Sequence, residues 1–109
     1  SGYGPHFKAI GEQFGAVDLA IMENGQYDQD WKYIHMMPDE TAQAADDLRT
    51  RAVLPGHAGR FVLAKHSWDD PYKRLAAASQ QRPWRLLTPM LGEPVWVADK
   101  TQSFTTWWR

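Results

Sequence analysis

Four histidines are the side chains of this sequence with the widest chemical scope: His6, His35, His57 and His66. Neutral imidazole binds zinc and related transition metals, and it exchanges protons near neutral pH. No two of the four lie at the i, i+4 or H-x-H spacing that builds half a zinc site on one element. A metal site would therefore have to collect ligands from separate elements. Spacing alone leaves two interpretations open for each histidine, a metal ligand or a hydrogen-bonded loop residue.

His57 is the leading candidate because of its position in the segment RAVLPGHAGRF. The apolar run 52–54 gives way there to Pro55 and Gly56, so the histidine stands where a strand is expected to end. Functional groups concentrate at such ends in α/β proteins, because the strand is rigid and its end is open to solvent. His35 and His66 occupy similar places, one before a predicted helix and one in a loop.

Composition narrows the function classes. The 109 residues suffice for one domain, and 43% hydrophobic with 23% charged residues is typical of a globular chain. Twelve basic against 13 acidic residues, with no basic run, argue against a nucleic-acid partner. The absence of cysteine excludes disulfides and thiolate metal sites, so a metal would need His, Asp or Glu. No apolar stretch approaches the roughly 18 residues that a membrane-spanning helix needs.

Predicted helices and strands alternate along the chain, which favours α/β layering. Two helices are expected over 5–14 and 38–51, and a third from its cap Asp70 to just before Pro83. Apolar runs predict strands over 17–22, 52–54, 84–88 and 95–98. These elements would bring the loops that carry the histidines to the ends of a sheet.

A family resemblance adds to these observations. The blocks GYGPHFKAIGEQFG, VDLAIMENGQYD, W-x-x-x-H-M-x-P-D-E-T-A, G-H-x-G-x-F-x-L and H-x-W-D-D-P follow one another along the chain. Their order resembles the C-terminal half of a metallo-β-lactamase-fold hydrolase. The most similar branch holds the N-acyl-phosphatidylethanolamine phospholipase D enzymes and bacterial relatives called RomA-like or UlaG-like. The similarity extends from Ser1 to about Pro71.

The resemblance implies a fold and a domain boundary. The family fold is a four-layer αββα sandwich of two similar halves with the metals between them. Residues 1–109 would form the C-terminal part of that domain, with one mixed sheet and helices on one face of it. The N-terminal half, which carries an H-x-H-x-D-H signature in the family, would be missing from this chain.

The resemblance also assigns site residues. In the family an Asp-(Ser/Thr)-Gly-Tyr motif supplies an Asp that bridges two metal ions, and residues 1–3 match its last three positions. The bridging Asp is therefore expected directly before Ser1. His57 matches a metal-binding histidine, and His35 matches a histidine that contacts the substrate phosphate. Ala58 replaces a common Trp, and Arg60 replaces a small polar residue or Lys, so the pocket would differ in shape.

The implied activity is hydrolysis with a water activated by two metal ions, zinc by preference and otherwise iron or manganese. His35 would stabilise the developing oxyanion or assist the leaving group. The expected substrates are small molecules or lipid-like phosphodiesters resembling N-acyl-phosphatidylethanolamine, or related esters and lactones. We expect the chain alone to be inactive, and the protein to be cytoplasmic or peripherally bound to a membrane in a bacterium.

Other polar residues near these histidines have simpler interpretations. His66 is expected to be structural or to form a pocket wall, and Tyr3 and His6 to pack near the start of the first helix. Loop or cap roles are favoured for four acidic residues, namely Asp28, Asp30, Asp69 and Asp70.

The rival function is a non-catalytic binding module built on the six tryptophans, which include Trp107 and Trp108. We favour packing for these rings, either in the core or against the absent half, because Trp84 and Trp96 lie in strand-like runs and Trp68 on a predicted helix face. Half a sandwich should also expose an apolar sheet face. We therefore expect association, either with the missing N-terminal half or with a second copy as a homo-oligomer.

Overall fold

A computed structural model describes residues 1–61 and 63–109, and it confirms the α/β class. The helices are α1 (His6–Phe14), α2 (Pro38–Leu48) and α3 (Asp70–Ser79), with a short 3-10 helix at Gln29–Trp31. The strands are β1 (Ala20–Glu23), β2 (Ala52–Gly56) and β3 (Arg85–Leu86). Strands and helices alternate in the order that the sequence predicts.

The sheet is parallel across all three described strands, in the order β1-β2-β3, where a mixed sheet was predicted. The crossover from β1 to β2 contains the short 3-10 helix and α2, and the crossover from β2 to β3 contains α3. A helical crossover returns the chain to the same edge and makes the next strand parallel to the last.

The strand predicted over 95–98 is wrong. Its backbone groups are bound by side chains instead of a neighbouring strand: Trp96 N–H donates to Gln102 Oε1 at 2.8 Å, and the Arg85 guanidinium donates to Val97 O at 3.3 Å. An apolar run is therefore not sufficient to predict a strand, because a strand also needs a neighbouring strand to pair with its backbone hydrogen-bonding groups.

The core lies between the sheet and the two helices α2 and α3. Alternate residues of β1, Ala20 and Met22, join Val53 of β2 on one face of the sheet. Against them pack the buried alanines of α2 and Leu75 of α3. The small side chains in the α2 sequence TAQAAD allow that helix to lie close to the sheet.

The opposite sheet face is apolar and open. Ile21 is 72% exposed, and its register partner on β2, Leu54, is only half-buried. Strand alternation places both on the face turned away from Ala20 and Met22. This is the exposed apolar face that the sequence predicts for half a sandwich.

Helix ends shift by one to three residues from their predicted positions. α2 begins at Pro38, where the Glu40 carboxylate accepts the Met37 N–H at 2.9 Å. It ends at Leu48, short of residue 51, because Arg49 takes a left-handed conformation with φ 57°. α3 begins at Asp70 itself, so the flanking cap position belongs to Asp69.

The tryptophans divide into buried and exposed rings. Trp84 and Trp108 are buried, and Trp107 packs on Tyr72 with ring centroids 4.9 Å apart. Trp96 is 64% exposed and lies in no strand, so its predicted strand position was wrong. Trp68 is 50% exposed, precedes α3 instead of lying on it, and stacks on Trp107 with ring centroids 6.5 Å apart.

Candidate metal centre

The carboxyl ends of β1 and β2 meet at one edge of the sheet. The register pairs Glu23 with Gly56, the last residues of the two strands, so His57 follows at the same edge. His35 arrives from the loop between the 3-10 helix and α2. Parallel strands end on the same side of a sheet, which is why residues distant in sequence converge here.

Glu23, His35 and His57 form a cluster whose potential ligand atoms all lie within 4.8 Å of one another. Glu23 Oε2 lies 3.1 Å from His35 Nδ1, and the rings of His35 and His57 stack with centroids 5.1 Å apart. The fold therefore brings together the two histidines predicted from the family resemblance. Sequence analysis missed Glu23, although a charged residue at the end of an apolar strand was a usable signal.

His57 is held in an unusual backbone conformation, with φ 62°. A left-handed conformation costs a non-glycine residue on the order of 1–2 kcal/mol, and such strain concentrates at functional sites. The turn at His57 packs directly against Gly25, and only a glycine leaves room for it, because a Cβ on Gly25 would lie 2.3 Å from His57 O. The close approach of these two backbone segments fixes the position of His57.

The segment after His57 is tied down by Gln26, whose side chain is almost fully buried. Its Nε2 donates to Phe61 O at 2.8 Å, and its Oε1 accepts from Leu63 N–H at 3.1 Å and Ala64 N–H at 3.0 Å. One amide thus satisfies a backbone group on each of Phe61, Leu63 and Ala64, and it holds these residues against the segment that follows β1.

Replacing Gln26 with alanine should destabilise the intact protein by about 1–3 kcal/mol, because three backbone groups, of which the Ala64 N–H is buried, lose their partner. Urea unfolding of the two proteins measures the difference. Gln13→Ala, at an exposed position of α1, is the matched control and should be nearly neutral. Equal stability of both variants would show that Gln26 does not hold the loop.

His66 lies outside the cluster and supports the same loop. Its Nε2 accepts the Gln26 backbone N–H at 2.9 Å, and its ring stacks on Tyr27 with centroids 4.2 Å apart. Burial raises the pKa of Tyr27, and its hydrogen bond to Asp70 raises it further, so the phenol stays protonated at neutral pH. This arrangement is the structural role that the sequence predicts for His66.

The remaining candidates also lie outside the cluster. His6 begins α1, and its ring packs on Phe7 with centroids 4.1 Å apart. The Tyr3 hydroxyl donates to Asp47, and this hydrogen bond raises the pKa of the phenol. Asp28 accepts the Asp30 N–H at 3.0 Å, and a hydrogen bond from Lys73 lowers the pKa of Asp69.

The donor chemistry of the cluster fits a transition metal. One carboxylate oxygen and two imidazole nitrogens are ligands that zinc accepts, and iron and manganese bind similar sets. A cavity of about 1000 Å³ lies elsewhere, near the amino ends of β2 and β3, and is lined by Arg51 and Arg85 among others. None of the three cluster residues lines that cavity.

Comparison with known proteins bears on the chemistry of this edge of the sheet. A family model described as a beta-lactamase superfamily domain matches residues 1–58, a span that includes all three residues of the cluster. The chain belongs to the beta-lactamase superfamily. Within it, the similarities place the chain in the RomA-like branch of the metallo-β-lactamase fold. The superfamily is a hydrolase fold whose members usually depend on metal ions.

Three relatives illustrate this membership. The outer membrane protein RomA of Klebsiella pneumoniae is 93% identical over 86 residues, which are 79% of this chain and 58% of RomA. An uncharacterized protein of Mycobacterium tuberculosis is 34% identical over 114 residues, covering 100% of this chain and 30% of the relative. The mitochondrial N-acyl-phosphatidylethanolamine-hydrolyzing phospholipase D of Saccharomyces cerevisiae is 38% identical over 72 residues, covering 63% and 15% respectively.

This chain thus spans about three fifths of the length of RomA and less than a third of the length of the other two relatives. In residues 1–61 and 63–109, no helix has both the length and the apolar character required to cross a bilayer.

Proposed function

We propose that this chain is the C-terminal part of a metal-dependent hydrolase, in which His57 binds a metal ion and His35 contacts the substrate. The observation that carries the proposal is the stacking of His35 and His57, which are 22 positions apart in sequence, at the carboxyl end of a parallel sheet. Membership of a superfamily of metal-dependent hydrolases gives this geometry a chemical meaning.

The chain's own residues would divide the work. His57 offers an exposed imidazole on a rigid turn, which suits a metal ligand. His35, beside it and partly buried, would in its imidazolium form donate a hydrogen bond from Nε2 to the charge that develops on the substrate. A bound divalent cation would supply Lewis acidity and lower the pKa of a water. We propose that the intact protein binds two zinc ions, and that iron or manganese could replace zinc.

The surroundings support a substrate with a large apolar part. Tyr33 and Ile34, directly before His35, are exposed, and so are Phe61 and Leu63 after His57. The Trp31 ring meets the His35 ring edge-on, with centroids 6.2 Å apart. We therefore favour a lipid-like phosphodiester, the chemistry named for the yeast relative, over a small ester or lactone. Peripheral contact with a membrane would give such a protein access to its substrate.

The open sheet face supports the proposed division of the domain. Ile21 and Leu54 would be covered by the N-terminal half of the same domain, which would also supply the remaining metal ligands. A chain lacking those ligands would not turn over substrate alone. A homo-oligomer formed through the same face is the alternative, and the oligomeric state of the intact protein distinguishes the two.

The test uses the intact protein, stripped of metal with a chelator and then reloaded with zinc. Hydrolysis of N-acyl-phosphatidylethanolamine vesicles, a soluble phosphodiester and a lactone is measured at each stage. We expect activity on the phosphodiesters to disappear on stripping and to return with zinc. Activity that survives chelation, or an absence of hydrolysis in all three assays, would contradict the proposal.

Replacing His35 with alanine should lower kcat by about 10²–10³-fold, the usual cost of removing one donor to a developing oxyanion. Bound metal should stay close to the wild-type amount, because the proposed ligand is His57. His6→Ala is the matched control and should retain wild-type kcat, since His6 lies outside the cluster. A His35→Ala protein with unchanged kcat would remove His35 from the reaction.

A further inference from the structure

We propose that Glu23 is a positioning residue, which holds His35 in a single tautomer and orientation beside His57. The effect of Glu23 on the reaction rate rests on the proposed function. Its effect on the imidazole is a property of this chain and can be measured without substrate.

The contact between the two side chains is direct and shielded. Glu23 Oε2 lies 3.1 Å from His35 Nδ1, and the side chains are only 18% and 23% exposed. An ionised carboxylate can only accept hydrogen bonds, so Nδ1 must carry the proton. Nε2 of His35 is then the ring nitrogen that remains for other partners. Limited exposure makes such a pair more persistent than an ion pair at the surface.

Glu23 is itself held from three sides. Its Oε1 accepts the Met36 N–H at 3.3 Å, and its main-chain carbonyl accepts the hydroxyl of the buried Thr41 at 3.0 Å. Its backbone ends β1 in register with Gly56. The carboxylate therefore links the end of a strand to the residue that follows His35, and it fixes the loop as well as the ring.

The occupied carboxylate oxygens argue for orientation over metal ligation. Oε2 is engaged by His35, and Oε1 accepts the Met36 N–H at 3.3 Å. A cation bound by Oε2 would compete with the hydrogen bond to His35. A carboxylate behind a functional histidine commonly fixes its tautomer and ring plane.

The first measurement is made on the metal-free intact protein and needs no variant. Nitrogen-15 NMR of the imidazole rings should show His35 protonated at Nδ1 as its dominant neutral tautomer. Glu23→Gln keeps the size of the side chain but removes its charge and one acceptor, so it should shift His35 toward a mixture of tautomers. Glu12→Gln, at an exposed position of α1, is the matched control and should leave the His35 signals unchanged.

The second measurement separates positioning from ligation. Glu23→Gln should lower kcat by about 10–100-fold, change KM little and leave the bound metal at the wild-type amount. In a His35→Ala background the same change should have almost no further effect on kcat, since Glu23 acts through His35. Loss of metal in Glu23→Gln, or an undiminished effect in the double variant, would overturn the proposal.

The two proposals fail in different ways. A wild-type His35 signal that lacks the Nδ1 proton would overturn the positioning role, whatever the activity. A normal His35 signal that changes in Glu23→Gln, in a protein that hydrolyses none of the three substrates, would support positioning and overturn the hydrolase function.

Discussion

Replacing His57 with alanine is expected to release metal from the intact protein and to lower kcat/KM by well over 100-fold. The loss should exceed the roughly 10–100-fold that follows removal of a residue that only supports a metal ligand. Elemental analysis of the purified protein gives the metal content, and steady-state kinetics on the phosphodiester gives kcat/KM. The reason is geometric, because His57 is the exposed member of the cluster and is positioned by the end of β2 and by the close approach of Gly25.

His6→Ala provides the comparison for this experiment, since it also removes one imidazole but from the start of α1. It should keep the wild-type metal content and kcat/KM. If His57→Ala also kept its full metal content at every site, His57 would not be a ligand, and the proposed centre would have to be built from other residues.

Replacing Gly11 with alanine is expected to destabilise the intact protein by about 1–2 kcal/mol, the cost of overpacking less the gain in helix propensity. In the interior of an exposed helix this change normally stabilises by about 1 kcal/mol, because alanine is the better helix former. Here a Cβ would lie 1.9 Å from Asp47 O, a main-chain atom of α2 that cannot move alone. Overpacking of this kind costs about 1–3 kcal/mol and sometimes more, so the sign should reverse.

Gly56→Ala is the control for Gly11→Ala, because the nearest atom to its added Cβ is Met22 O at 3.8 Å. Its free energy of unfolding should change far less, by under about 1 kcal/mol for a site without a clash. Urea unfolding at one temperature measures both variants. A Gly11→Ala protein more stable than the wild type would show that α1 and α2 do not approach this closely.

Local sequence patterns predict most helices and strands of this fold, but contacts with neighbouring segments determine where they end and whether they form. The helix around His6–Phe14 and the strand before His57 follow from periodicity and from Pro and Gly. The end of α2 does not follow from the sequence pattern. Arg49 ends the helix in a left-handed conformation, and no glycine at this position indicates that the helix stops here. The supposed strand over 95–98 fails since its backbone is bound by Gln102 and Arg85.

The sequence by itself determined the class of the site. Without cysteine, only His, Asp and Glu could bind a metal, and the strand before His57 marked that histidine as the residue at a sheet end. The family resemblance added His35. These conclusions depend on composition and on short-range order, which a single chain displays directly.

Only the tertiary structure decided how the site is assembled. The pairing of Glu23 with Gly56 depends on the register of two strands separated by a whole helix, and register is set by packing across the sheet. That pairing brings Glu23 to His35, and the Gly25 contact turns His57 toward both. Such relations are long-range, so no local pattern in the sequence predicts them.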